Sequence, residues 1–170
     1  GDIYKFKKEY EEYNGTVVQE DTKYIDVDIN ISNFVTMLYE ENVISTFSNN
    51  TGIFYFGFPT CPWCRNVVET LLKVGKKENI DVYYMNPREI RTNNSEVYQQ
   101  LLKKLSGNLQ KNENGEETLY VPDVYFVKKG KIVGHHIGTV KSQTNPYKKL
   151  NASQQEELEK IYTNLIKKIK

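Results

Sequence analysis

The sequence has only two cysteines, no long apolar run and no excess of charge of one sign. With 23 basic and 22 acidic residues the formal net charge is +1, which argues against a surface built to bind nucleic acid. No stretch reaches the run of about 18 apolar residues that a membrane-spanning helix needs, so no membrane span is expected. The chain opens on charged residues, so we expect no signal peptide within these residues.

Both cysteines lie in one Cys-x-x-Cys motif, at Cys61 and Cys64. A structural disulfide framework would distribute more cysteines along the chain, and a structural zinc site normally needs four ligands. We therefore expect no metal and no cofactor other than a redox-active Cys61–Cys64 disulfide. A pair of purely structural cysteines is the alternative.

A length of 170 residues, with 38% apolar and 26% charged residues, is typical of one globular domain. Residues 1–23 are polar and weakly patterned, and we interpret them as an N-terminal extension. Residues 24–170 alternate between strand and helix patterns and are expected to form the domain. No internal repeat or second domain is apparent.

The patterns follow one another in the order β-α-β-α-β-α-β-β-α, which predicts an α/β fold with a mixed sheet and helices on both faces. Ser32 is the expected N-cap of the first helix, which extends to Phe47, and a continuous apolar run over residues 53–58 predicts a fully buried strand. The other predicted elements are an edge strand over residues 24–29, a helix after the cysteine motif, a strand over residues 80–85, a helix over residues 95–105, a polar loop over residues 106–118, a hairpin over residues 123–137 and a last helix with a capping box of Ser153 and Glu156.

The cysteine motif follows a buried strand and precedes a helix, which places Cys61 at a helix N-terminus. Unpaired backbone N–H groups favour a thiolate there, and the thiolate is the attacking species. Pro62 suits the first helical turn, where its missing N–H has no cost. Cys64 lies one turn further on the same face, where it can resolve a mixed disulfide at Cys61. We predict Cys61 as the nucleophile and Cys64 as the resolving thiol, which requires the Cys61 sulfur to reach solvent.

Outside the cysteine pair, one tryptophan, one arginine and two histidines carry side chains suited to binding or catalysis. Trp63 is expected to form an exposed aromatic platform for partners. Arg65 is expected either to support the thiolate or to be a solvated helix residue. His135 and His136 are neighbours on a predicted strand, so their side chains point to opposite faces and are not expected to serve one site.

Two segments resemble thioredoxin-like proteins. Residues 54–65, Phe-Tyr-Phe-Gly-Phe-Pro-Thr-Cys-Pro-Trp-Cys-Arg, resemble the active-site segment of that superfamily, and residues 120–133, which begin Tyr-Val-Pro-Asp, resemble its cis-proline strand and hairpin. The Pro-Thr-Cys-Pro-Trp-Cys stretch resembles in particular the thioredoxin-like accessory proteins of bacterial bacteriocin-transport loci. The resemblance implies a thioredoxin fold from about residue 24 onward.

The resemblance also implies a cis bond between Val121 and Pro122, with the Val121 backbone beside Cys61. There it would pair with an extended substrate segment by edge addition. A trans proline that starts a strand is the alternative. The remaining residues implied in the site are Trp63, Val121 and Pro122 for substrate binding, and Thr60, Pro62 and Arg65 for support.

Two residues depart from the thioredoxin pattern. Tyr55 stands six positions before Cys61, where thioredoxins have a buried acidic residue, so the acid–base role of that position is unassigned. Thr60 replaces the tryptophan that precedes their first cysteine. Both changes weaken the expectation of coupling to thioredoxin reductase.

The expected function is that of a thiol–disulfide oxidoreductase whose partners are protein disulfides or dithiols and a redox partner protein. Two alternatives stay open: a non-catalytic accessory or adaptor module of a transport or secretion system, and glutaredoxin-like chemistry that depends on glutathione. The resemblance implies a bacterial protein located outside the cytoplasm after removal of an export signal or a lipoprotein anchor. A cytoplasmic location is the alternative.

Overall fold

The chain folds into seven helices and nine strands in a computed structural model that covers residues 1–170. The helices are α1 (Asp2–Glu11), α2 (Val43–Asn49), α3 (Pro62–Arg65), α4 (Val68–Glu78), α5 (Arg88–Thr92), α6 (Glu96–Leu105) and α7 (Ala152–Ile166). The strands are β1 (Val17–Gln19), β2 (Thr22–Lys23), β3 (Thr36–Met37), β4 (Gly52–Phe56), β5 (Val82–Met85), β6 (Gln110–Lys111), β7 (Glu117–Thr118), β8 (Asp123–Lys128) and β9 (Lys131–Ile137). None of the helices combines the length and the apolar character that crossing a membrane requires.

Five strands form the central sheet in the order β3-β5-β4-β8-β9. Strands β3, β5 and β4 run parallel, whereas β8 and β9 are each antiparallel to their neighbours. Helix α4 joins β4 to β5 as the crossover that parallel strands require. Every residue of β4 is buried, because the strand lies at the centre of a sheet covered on both faces. The predicted α/β thioredoxin-like fold is confirmed.

Successive residues of β4 pack on opposite sides of the sheet, since neighbouring side chains of a strand point to opposite faces. Ile53 and Tyr55 lie in a cluster with residues of α1, α4 and α7, whereas Phe54 and Phe56 lie in a second cluster with residues of α2 and α6. The carboxyl end of β4 therefore emerges between two packed layers, and the cysteine motif follows it there.

The N-terminal extension contains α1, which the weak pattern of residues 1–23 did not indicate. Phe6 and Tyr10 of this helix are buried in the same cluster as Tyr55. Together with Ile3 they form a narrow apolar stripe at spacings of three and four residues, and polar side chains occupy much of the remaining surface. The extension thus packs against the sheet as a helix.

The edge strand predicted over residues 24–29 does not form, and these residues have no regular secondary structure. Val27 and Ile29 are buried, which accounts for the alternating pattern. Side chains rather than a neighbouring strand accept hydrogen bonds from their backbone N–H groups. Asn14 accepts from Val27 and Glu11 accepts from Ile29, both at 2.8 Å. The edge of the sheet is formed by β3 instead.

The helix predicted to begin after Ser32 is shorter than expected, because α2 begins at Val43 and β3 occupies part of the predicted stretch. The Ser32 hydroxyl donates a hydrogen bond to Asn30 in a turn instead of capping a helix. The helical spacing of the apolar residues was misleading here. Phe34 is 68% exposed, and Met37 is buried but belongs to strand β3.

The other predicted elements form with shifted ends. The helix after the cysteine motif is interrupted by two residues between α3 and α4. The last helix begins at a reciprocal capping box of Asn151 and Gln154, so the prediction of Ser153 and Glu156 was wrong. Residues 106–118, predicted as a loop, contain the hairpin of β6 and β7, and α5 was not predicted. Strand β5, helix α6 and the β8–β9 hairpin lie where they were expected.

Candidate active site

Cys61 and Cys64 lie at the start of α3, after the loop that leaves the carboxyl end of β4. Cys61 is the N-cap residue, and its sulfur accepts a hydrogen bond from the Cys64 amide N–H at 3.3 Å. Pro62 occupies the first helical turn, where its missing N–H leaves no bond unmade. The strand–helix junction thus brings the two sulfurs together as neighbours.

Exposure distinguishes the two cysteines. Cys61 is largely buried but keeps 7% of its surface open, whereas Cys64 is 0% exposed. Both are free thiols in this structure. Of the two, only Cys61 is open to an approaching partner.

The protein shifts the pKa values of the two thiols in opposite directions. The hydrogen bond from the Cys64 thiol lowers the pKa of Cys61, and it outweighs burial, which raises that pKa. Backbone N–H groups of Cys64 and Trp63 lower it further. Burial raises the pKa of Cys64 well above its usual value, and the neighbouring Cys61 adds to this effect. When the pair carries a single proton, these shifts favour a thiolate at Cys61 and a thiol at Cys64.

These opposite directions predict selective alkylation. Below about pH 8.5, the ordinary pKa of a cysteine thiol, iodoacetamide is expected to modify Cys61 and to leave Cys64 unmodified. Because the pKa of Cys61 is lowered, its thiolate and its alkylation rate persist as the pH falls below that value. Peptide mass spectrometry of timed reactions measures the rate at each site.

The matched control for this measurement is Cys64→Ala, which removes the hydrogen bond that contributes most to the shift. The midpoint of the Cys61 pH–rate profile is then expected to rise. A wild-type midpoint at or above about 8.5, the value of an unperturbed thiol, would contradict the prediction.

The peptide bond between Val121 and Pro122 is cis, as the resemblance implied. The Val121 carbonyl faces the site and accepts a hydrogen bond from the Cys61 thiol, with 3.8 Å between sulfur and oxygen. No hydrogen bond within the protein uses the Val121 amide N–H. A free backbone donor beside the exposed sulfur suits pairing with an extended segment.

A groove with a volume of about 780 Å³ opens beside this peptide bond. Trp63, Tyr120, Val121 and Pro122 line it. Trp63 is half-buried against the core, so it forms a wall of the groove rather than a fully exposed platform. Tyr120 is 39% exposed and was not predicted, although its place directly before Val121 and Pro122 was a signal in the sequence.

Thr60 ties the loop before Cys61 to two other parts of the chain. Its carbonyl accepts a hydrogen bond from the Tyr24 hydroxyl at 2.7 Å, and its own hydroxyl accepts one from Arg88 at 3.1 Å. These contacts hold the loop in place and leave the Thr60 side chain half-buried.

Arg65 is buried, with only 1% of its surface exposed, so the expectation of a solvated helix residue was wrong. Its guanidinium donates hydrogen bonds to four acceptors, which are the carbonyl oxygens of Tyr10, Ile25 and Pro59 and the side-chain oxygen of Asn14. It makes no hydrogen bond to either sulfur. Arg65 therefore supports the site by joining three chain segments beneath it.

Tyr55 lies on the buried side of the motif. It is 1% exposed, and its hydroxyl lies 2.7 Å from the Tyr10 hydroxyl. Tyr55 lowers the pKa of the Cys64 thiol, against the larger effect of burial, which raises it. Tyr10 was missed in the sequence because α1 was not predicted.

His135 and His136 point to opposite faces of β9, as expected. His135 Nδ1 lies 3.0 Å from a carboxylate oxygen of buried Asp123, and its ring stacks on Tyr125. On the other face, His136 Nε2 lies 2.6 Å from the Thr139 carbonyl oxygen. The two rings thus have separate partners.

Comparisons with known proteins find solved structures that match part of this chain at low sequence identity. No protein-family model and no curated protein matches the chain. Thioredoxin O1 of Arabidopsis thaliana in its oxidized state matches with a TM-score of 0.44 and 18% identity, over 76% of this chain and 97% of that one. The thioredoxin of Aeropyrum pernix matches with a TM-score of 0.39 and 17% identity, over 74% of this chain and 85% of that one. By its own strand order and its cis Val121–Pro122 bond, the chain has a thioredoxin-like fold with a Cys61–Cys64 pair at the candidate active site.

Proposed function

We propose that this protein is a thiol–disulfide oxidoreductase that acts on protein disulfides or dithiols. The observation that carries the proposal is the pairing of a partly exposed Cys61 with a fully enclosed Cys64 one helical turn away. The opposite pKa directions of the two thiols support a division of roles between them. Cys61 attacks, and Cys64 resolves.

In the reducing direction, the Cys61 thiolate attacks one sulfur of a substrate disulfide. A bond forms between that sulfur and Cys61, the substrate S–S bond breaks, and the other substrate sulfur leaves as a thiolate that takes a proton from solvent. The Cys64 thiolate then attacks the Cys61 sulfur, which forms the Cys61–Cys64 disulfide and releases the second substrate thiolate. The protein has lost two electrons, which a redox partner protein returns.

The groove beside Val121 supports recognition of an extended segment of the substrate protein. The unused Val121 N–H and its carbonyl offer a backbone donor and acceptor next to Cys61. Trp63 and Tyr120 provide apolar walls for neighbouring side chains of the substrate. Backbone pairing of this kind is tolerant of substrate sequence, while the walls of the groove select for side-chain size.

We further propose that the protein serves as an accessory protein of a bacterial bacteriocin-transport system and that it works outside the cytoplasm. The support is the resemblance of the Pro-Thr-Cys-Pro-Trp-Cys stretch to such proteins. Its partners are then protein thiols or disulfides of the transported peptide or of the transport machinery.

Reduction of insulin by dithiothreitol tests the proposed chemistry. Wild-type protein is expected to accelerate the precipitation of reduced insulin over dithiothreitol alone, because the cysteine pair passes electrons to the insulin disulfides. A variant with both Cys61→Ser and Cys64→Ser is expected to return the rate to that of dithiothreitol alone. Turbidity measures the rate, and circular dichroism verifies that the variant is folded.

Wild-type protein that neither reduces insulin nor oxidises a dithiol peptide would overturn the proposal. A non-catalytic adaptor would then be the better description, and it would retain its effect on peptide export in the double-serine variant. Activity that requires glutathione would instead indicate glutaredoxin-like chemistry.

A further inference from the structure

Two arginines of α5 are attached to the chain segments that flank Cys61. Arg88 donates a hydrogen bond to the Thr60 hydroxyl at 3.1 Å, and Thr60 directly precedes Cys61. Arg91 donates one to the Leu119 carbonyl oxygen at 2.9 Å, in the segment that leads to the cis peptide bond. Two guanidinium groups are thus fixed at the edge of the candidate active site, and we call Arg88 and Arg91 the arginine pair.

The ring of Phe58 brings the two guanidinium groups together. Arg88 Cζ lies 5.5 Å from the centroid of this ring, and Arg91 Cζ lies 5.7 Å from it. A cation near an aromatic ring is attracted by the electrons of the ring. Phe58 and Arg91 are half-buried, whereas Arg88 is exposed. The arginine pair therefore has a defined position and remains open to solvent.

Neither member of the arginine pair is neutralised by a carboxylate of the protein. The ion pairs of the chain are formed by lysines and by His135. Glu89, which lies between Arg88 and Arg91 in the sequence, pairs with neither. Each guanidinium has five N–H donors and donates a single hydrogen bond within the protein. Two positive charges and most of their donors are thus free to bind an anion.

The groove beside the cis peptide bond differs from the arginine pair in its charge. Neither arginine lines this groove, and its charged lining residues are one acid and one base, Glu157 and Lys141. Arg91 also acts on the nucleophile, since its charge helps to lower the pKa of Cys61. A substrate that reaches the Cys61 sulfur therefore meets a positive charge that the groove does not provide.

We propose, on the basis of the proposed function, that Arg88 and Arg91 select substrate proteins that carry an acidic residue next to the reacting cysteine. The carboxylate of that residue accepts hydrogen bonds from the free N–H groups of the arginine pair, whose forked geometry suits it. An acidic segment is attracted to Cys61, and a basic one is repelled. The Val121 backbone and the walls of the groove contact all substrates alike.

Blocked peptides with a thiopyridyl group on a single cysteine measure this selection. Attack by Cys61 forms a bond to the peptide sulfur, breaks the bond between that sulfur and the thiopyridyl sulfur, and releases thiopyridone. Its absorbance gives the rate. Three peptides carry glutamate, glutamine or lysine on both sides of the cysteine. The protein carries Cys64→Ser, so that each molecule stops at the mixed disulfide after one release.

The glutamate peptide is expected to react about tenfold faster than the glutamine peptide, since an exposed ion pair contributes up to about fivefold and two are available. The lysine peptide is expected to react more slowly than both. Raising the ionic strength from about 0.02 M to about 0.5 M should remove most of the difference, because charges are then screened beyond about 4 Å. This salt dependence tests the inference without altering the arginine pair.

Substitution of each arginine assigns the selection to the arginine pair. Arg88→Gln and Arg91→Gln are each expected to lower the ratio of the glutamate rate to the glutamine rate by about threefold, the effect of one exposed ion pair. Both together should bring the ratio close to one. The ratio is the measure, because a change in the Cys61 pKa alters all three rates equally. Lys104→Gln removes an exposed positive charge of α6 and is expected to leave the ratio unchanged.

The outcomes keep the selection and the proposed function apart. Equal rates with the three peptides would overturn the selection alone, and so would a preference for glutamate that survives both arginine substitutions. Glutathione with the same thiopyridyl group tests a small thiol as the source of the carboxylate. A reaction faster than that of the glutamate peptide would overturn the assignment to a protein segment. Failure of wild-type protein to reduce insulin would overturn the proposed function, whichever peptide reacts fastest.

Discussion

Replacing Cys61 by serine is expected to lower the rate of protein-disulfide reduction by about 1000-fold or more, since such losses are typical when a nucleophile is removed. Of the two cysteines only Cys61 has exposed surface, and a serine hydroxyl is not ionised at neutral pH. Cys64 cannot take over the attack, because it is fully enclosed and its pKa is raised. The insulin assay measures the loss.

Cys64→Ser is the matched control, because it makes the same replacement of sulfur by oxygen at the other cysteine of the motif. The variant keeps the attacking sulfur but lacks the resolving one, so it is expected to form a mixed disulfide and to stop there. Mass spectrometry should find one substrate chain attached at Cys61. A mixed disulfide at Cys64 in the Cys61→Ser variant, or insulin reduction there close to the wild-type rate, would reverse the assigned roles.

The parts of the site that could be predicted from the sequence depend on short-range geometry. A buried strand followed by a helix places Cys61 at the N-cap, and a spacing of three residues brings Cys64 next to it. The alternation along β4 divides the core into two layers for the same local reason. The position of Val121 beside Cys61 came from the resemblance, since 60 residues separate the two.

The parts that could not be predicted depend on contacts between distant segments. Tyr10 is 45 residues from the hydroxyl that it meets, and α1 has too narrow an apolar stripe to reveal that the residue is buried. An arginine is usually a surface residue, and nothing near Arg65 in the chain shows that four acceptors surround it. Residues 24–29 show the same limit, since their alternation reflects burial under side-chain hydrogen bonds rather than pairing in a sheet.

Arg65 combines short-range geometry with distant contacts, because it lies inside the motif segment but bonds to segments far from it. It joins α1 through the Tyr10 carbonyl, the loop before the motif through Pro59, and the irregular segment through Ile25. The Ile25 and Pro59 carbonyls have no other hydrogen-bond donor within the protein. Loss of the guanidinium would therefore leave the buried Pro59 carbonyl and the half-buried Ile25 carbonyl without partners.

Arg65→Met is expected to lower the free energy of unfolding by about 3 kcal/mol or more, since each buried acceptor left unpaired costs about 1 to 3 kcal/mol. Arg65→Lys retains the charge but not the planar set of donors, so it is expected to recover only part of the loss. Urea denaturation followed by circular dichroism measures both changes. Arg88→Met removes an exposed arginine that donates a hydrogen bond to the Thr60 hydroxyl, and it is expected to cost less than about 1 kcal/mol.

A loss in Arg65→Met no larger than that in Arg88→Met would contradict the role given to the buried network.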